Sequence, residues 1–183
     1  MKPSFWATVL LLTLIANLTQ DKTNNVCRLE TKYDRLTDTT IVHCDLVEMR
    51  DVPAKLTIQA VASYRGTEPN ETAKFWLQFS GFITDASRNT QPVFQEATIV
   101  TLSLSDTTRL EVPVSDYHND FFELNHLLAE SARAEIIRED LRKLLDAKSL
   151  KCKWNVAEVK FSDAALSSLK SFISRQVLYA EIR

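Results

Sequence analysis

The chain has 183 residues, with 22 Lys and Arg against 24 Asp and Glu and a formal net charge of −2. The two signs are interspersed, so the electrostatic footprint of a nucleic-acid-binding protein is missing. Only two glycines occur, Gly66 and Gly81, which excludes glycine-rich phosphate loops and dinucleotide fingerprints, because both need several glycines close together.

Lys2 precedes an apolar run from Phe5 to Ile15, and Ala16 separates that run from the polar stretch Asn17 to Lys22. This reads as a secretory signal over residues 1–16, with a cut as late as about residue 20 as the variant. The run is shorter than the roughly 20 residues a helix needs to cross a bilayer, and the alternative reading is an uncleaved N-terminal anchor. Residues 24–26 before Cys27 lack the small side chains of a lipid-modified cysteine. Signal removal leaves 167 residues with charge −3 and no membrane span, enough for one domain over residues 26–183. The expected location is secreted or periplasmic, where disulfides persist.

Residues 26–32 and 39–44 read as two strands around a turn at 33–38. Folding that hairpin between Arg35 and Leu36 sets Cys27 opposite Cys44, a pair that can meet disulfide geometry; a slip of one residue would put them on opposite faces. Cys152 alternates with Leu150 and Trp154 and reads as core, with pairing to Cys27 or Cys44 left open. Residues 54–64 place Leu56, Ile58, Ala60, Ala62 and Tyr64 on one side of a period-two pattern. A polar loop at 65–71 is punctuated by Gly66 and Pro69, and a strand over 73–83 follows. Residues 85–92 form a second loop, and 97–104 with 109–114 form a hairpin. Residues 115–131 fit a loop, a strand from about Phe122 or a short helix, and 132–137 a further strand. A helix is expected over 138–147, then a short hairpin at 149–161, then a helix from Asp163 capped by Ser162. The class is therefore α+β, a mostly antiparallel sheet with C-terminal helices packed on one face.

The stretch Tyr33 to Thr40 (YDRLTDTT), followed by the strand from Leu56 to Tyr64, resembles the opening of a group of small exported bacterial proteins of unknown function. The resemblance returns at Ile137 to Ser149, the hairpin after it, and Phe161-Ser162-Asp163 with a leucine helix through Phe172. The group carries no assigned catalytic residues, so the resemblance implies export and no site. The cysteines lie outside its pattern, and residues 117–131 depart from it as a local insertion.

His118 and His126, with Asp116, Asp120, Glu123 and Glu130, form the one tract rich in imidazole and acid, but its spacings match no metal signature and no cofactor is implied. His43 and Cys44 are neighbours on a strand and point to opposite faces, so they do not make a catalytic pair. Ser80-Gly81 lacks the flanking glycine of a nucleophile elbow. Asn70-Glu71-Thr72 and Asn17-Leu18-Thr19 fit the glycosylation acceptor pattern. Trp76 alternates away from Phe75 and Phe79, so it is a contact surface if that sheet face is open and core if a helix covers it. The expected function is a non-enzymatic interaction or structural domain of the cell envelope or extracellular space, its partner an envelope or extracellular protein. The alternatives are a small hydrolase using the His118 and His126 tract, and a carrier of an apolar small molecule.

Overall fold

Alternating apolar residues build most of this chain into one antiparallel sheet. The computed structural model describes residues 27–179, apart from 52–53, 88, 95–97, 106 and 155–156, so the expected signal segment lies outside the described residues. Among the described residues, nine strands are β1 (Glu30–Asp34), β2 (Thr39–Asp51), β3 (Ala54–Arg65), β4 (Lys74–Ile83), β5 (Ile99–Ser103), β6 (Arg109–Phe122), β7 (Leu127–Glu135), β8 (Lys151–Trp154) and β9 (Ala157–Lys160). Their spatial order is β1-β2-β3-β4-β7-β6-β5-β8-β9. On β3 and β4 every second residue, Leu56 to Tyr64 and Phe75 to Gly81, is buried as the period-two pattern predicts.

Residues 115–131 are neither a long loop nor an α-helix. β6 continues to Phe122, a 3-10 turn spans Glu123–Asn125, and β7 begins at Leu127. β6 pairs with β5 up to Pro113 and with β7 from Val114 onward. A bulge between Ser115 and His118, with Asp116 at φ 51°, lies just past this handover and bends the strand.

The sheet curls strongly. β4 and β8 are four strand positions apart, about 19 Å in a flat sheet. Yet the rings of Phe79 on β4 and Trp154 on β8 lie 5.3 Å apart, and Phe94 packs on both at 5.9 and 5.4 Å. Phe94 comes from the irregular connection after β4, and Glu130 holds it there. The Glu130 carboxylate, 4% exposed, accepts the N–H of Val93 at 2.7 Å and of Phe94 at 2.9 Å. Gly81, its ladder partner on β4, makes the room: a Cβ there would meet Glu130 Cγ and Oε1 at 2.9 Å.

Helix α1 (Arg138–Asp146) begins with Glu139 and Asp140, charges suited to its N-terminus, and buries Leu141 and Leu144. Helix α2 (Asp163–Gln176) is capped by Ser162, whose hydroxyl accepts the Ala165 N–H at 3.1 Å. Its Leu166, Leu169, Phe172 and Ile173 join the buried core, with contacts to β2, β3 and α1. Phe172 meets Phe75 edge-on at 6.1 Å. Arg138 ties this corner together, donating to the carbonyls of Asn70, Glu71 and Val177.

Cys27 and Cys44 are disulfide-bonded, with Cα atoms 5.2 Å apart. The hairpin register differs from the expected one: Glu30 faces His43 and Asp34 faces Thr39, a shift of two residues that keeps both cysteines on one side. Cys27 sits before β1 and reaches Cys44 from outside the ladder. The shift follows from the turn. Asp34 accepts the Leu36 N–H and the Thr37 hydroxyl, both at 2.9 Å, and those bonds hold its carboxyl below the usual range. Asp38 closes the turn at φ 50° and accepts the Tyr33 hydroxyl. Cys152 is fully buried, and burial pushes its thiol well above the ordinary range.

Replacing Cys27 and Cys44 together by Ala is expected to lower unfolding free energy by about 3 kcal/mol in denaturant titration, and an unchanged midpoint contradicts this. Glu130→Ala strands two buried N–H groups and should cost about 3 kcal/mol by the same measurement. Burial raises the Glu130 carboxyl above the usual range, and the Phe94 and Val93 N–H groups offset part of that rise. Its contribution is therefore complete below the unfolded value of 4.5 and declines as pH rises through the folded value. The stability gap between wild type and Glu130→Gln should be larger at about pH 4 than at about pH 7, and a gap widening toward neutrality contradicts the assignment.

Candidate functional site

The residues alternate to the buried row point the other way, and across β3, β4, β7 and the far half of β6 they make a second face. The ladder sets its rows: His43, Val61, Trp76 and Glu135 lie side by side, and Gln59, Gln78, Arg133 and Ser115 lie beside them. Trp76 is half-buried there, above a buried Val61. Arg133 lies over the Trp76 ring, its Cζ 5.4 Å from the centroid. The guanidinium is itself held, with Nε donating to Gln78 Oε1 at 3.0 Å and a terminal nitrogen to Asp116 Oδ2 at 3.3 Å. Asp116 owes that position to the left-handed bulge residue it occupies. The Trp76 indole N–H is shielded and makes no hydrogen bond among the described residues.

Such a cluster offers a flat aromatic, a planar cation fixed by two acceptors, and an amide. Trp and Arg in this arrangement bind through stacking and directional donors. Sequence reasoning singled out Trp76, grouped Asp116 with the histidine and acid tract, and missed Gln78 and Arg133. Gln78 and Arg133 are 55 positions apart, and only the pairing of β4 with β7 joins them.

The imidazole and acid tract is dispersed by the hairpin. His118 lies on the outer side of β6 opposite Ser131, while His126 ends the 3-10 turn at φ 47°. Four strand residues from His118 to Phe122 set the two about 14 Å apart along the hairpin. Glu130 points inward to Val93 and Phe94. No group of three His, Cys, Asp or Glu residues able to hold a metal occurs among the described residues. His43 turns outward to Glu30 at 3.1 Å while Cys44 is bridged inward, and Ser80-Gly81 lies mid-strand in β4. Asn70 is committed within its own loop, its amide donating to the Arg65 and Glu68 carbonyls and its oxygen accepting from Thr72.

Hollows occur at two places among the described residues. One is lined by Asp38, Arg65 and the loop from Pro69 to Thr72, the other by Ser87, Thr90, Pro92, Asn119, Phe121, Glu123 and Leu128. Both open to solvent at loops, and neither lies between the sheet and α2. No helix of the described residues is long and apolar enough to cross a membrane. Comparison with protein-family models, with curated proteins and with solved structures finds no match to this chain.

Proposed function

We propose that this is an exported, non-enzymatic interaction domain of the cell envelope or extracellular space, which binds a protein partner through the sheet face carrying Trp76. In this reading both helices belong to the inner face and leave the outer one to the partner. The observation that carries it is the Trp76–Arg133 pair, ordered before any partner arrives by Gln78 and Asp116. Trp and Arg are the residues most often found to dominate contact energy, and a side chain already held in place loses less entropy on binding. The Cys27–Cys44 bridge fits an oxidising compartment.

A photoreactive residue at Ser80, on the same face, tests this in the envelope fraction of the source cells. A single adduct of defined mass is expected, and Trp76→Ala or Arg133→Ala should reduce it at least tenfold, as loss of a contact worth about 2 kcal/mol implies. The same residue at Leu36, remote from this face, should give none. Adducts indifferent to both substitutions would overturn the reading.

A further inference from the structure

The same outer face ends in a different kind of surface. Beyond the polar row Ser80, Ser131 and His118, the ladder sets Phe82 beside Ala129, and Leu127 beside Phe122. Phe82 is 40% exposed, Phe122 48%, and Leu124 at the hairpin tip 98%. The tip is held in place: the Ala86 N–H donates to the His126 carbonyl at 2.7 Å, and the His126 N–H to the Glu123 carbonyl. The left-handed backbone of His126 closes the turn that turns Leu124 outward. A fixed tip of Phe and Leu side chains in water is costly unless it enters something apolar.

The register shows what lies on that side. β2 ends at Asp51, Asp51 pairs with Ala54, Ala54 with Ile83, Ile83 with Leu128, and Leu128 with Phe121. These positions and the Leu124 tip therefore share one end of the sheet. β1 runs antiparallel to β2, with Glu30 opposite His43 and Asp34 opposite Thr39. The chain preceding Glu30 is thus directed toward this same end, and the Cys27–Cys44 bridge fixes where it leaves the sheet. Upstream lies the apolar run Phe5 to Ile15, which holds the chain at a bilayer where it stays uncleaved as an N-terminal anchor. The 11 residues from Ala16 to Val26 can span up to about 38 Å, more than the roughly 24 Å from the level of Cys44 to that of Asp51.

We infer that this end of the sheet faces a phospholipid bilayer, and that Leu124, with Phe122 and Phe82, enters the boundary between headgroups and acyl chains. Phe and Leu side chains are the kind that partition there. Asp120 stands in the row of Phe82 and Ala129, Glu123 lies in the turn, and both are exposed, so the lipid surface this end suits is neutral rather than anionic. The contact is independent of the partner proposed at Trp76, which lies six strand residues, about 20 Å, away.

The test uses the full-length chain with phosphatidylcholine vesicles carrying acyl-chain nitroxides. An environment-sensitive fluorophore is placed on Leu124→Cys or, in a second protein, on Leu36→Cys. Leu36 is 97% exposed, as open as Leu124, but sits in the β1–β2 turn at the opposite end of the sheet. Cys152 is buried and the other two cysteines are bridged, so only the introduced thiol takes the label. The N-terminal run can hold either protein to the vesicle, so depth, not binding, is the readout. Quenching at 124 should exceed that at 36 at least fivefold, and Phe122→Asp in the 124-labelled chain should lose most of it. Equal quenching at the two sites, or a vesicle-bound chain whose label at 124 stays unquenched, overturns the inference.

Discussion

The curl of the sheet depends on one interaction. Glu130 reaches inward from β7, takes the N–H groups of Val93 and Phe94, and so holds the Phe94 ring against Phe79 and Trp154. That ring adds to the direct Phe79–Trp154 contact between β4 and β8, inside a buried cluster that joins both halves of the sheet. A buried carboxylate is an expensive choice, because burial disfavours its charge. The two short bonds to backbone offset part of that cost, and they fix a segment that belongs to neither helix nor strand. Gly81 is part of the same device, since any side chain there would occupy the space of the Glu130 stem.

Closing the inner face in this way separates two roles. The inward rows of β2, β3 and β4 and the leucines and phenylalanine of α2 carry stability, as large buried apolar groups do. The outward rows hold Trp76, Arg133, Gln78 and Asp116 at one level and Phe82, Phe122 and Leu124 at another. Under the proposed function, substitutions in those outer rows bear on recognition more than on folding. The bulge at Asp116 joins the two roles: it bends β6 for the curl and aims a carboxylate at Arg133.

Much of this was legible where a single local signal decided the matter. The alternation from Leu56 to Tyr64 and from Phe75 to Phe79 marked the buried face, and Ser162 before an apolar helix marked a cap. The cysteine pair was found on the right face from a register two residues off, because a shift of two preserves facing. Residues 115–131 stayed ambiguous because the bulge resets the period-two pattern after Ser115, and beyond it polar Asn119 stands in the inward row and Phe122 in the outward one. Glu130 was read with the exposed acids around it, since nothing local announces that a carboxylate will find two backbone donors 36 and 37 positions away. The Trp76 cluster was seen as one residue for a similar reason. Its other members arrive from β7 and from the bulge, and only the non-local pairing of β4 with β7 brings them together.

The claim that Glu130 closes the sheet by gripping the Phe94 segment is tested most directly by amide hydrogen exchange. Val93 and Phe94 belong to neither helix nor strand, so their amides would ordinarily exchange as fast as those of any exposed connection. If the account is right, both are protected to the same degree as the buried β4 amides of Leu77 and Phe79. Exchange at the rate of an open loop, with β4 still protected, would contradict it.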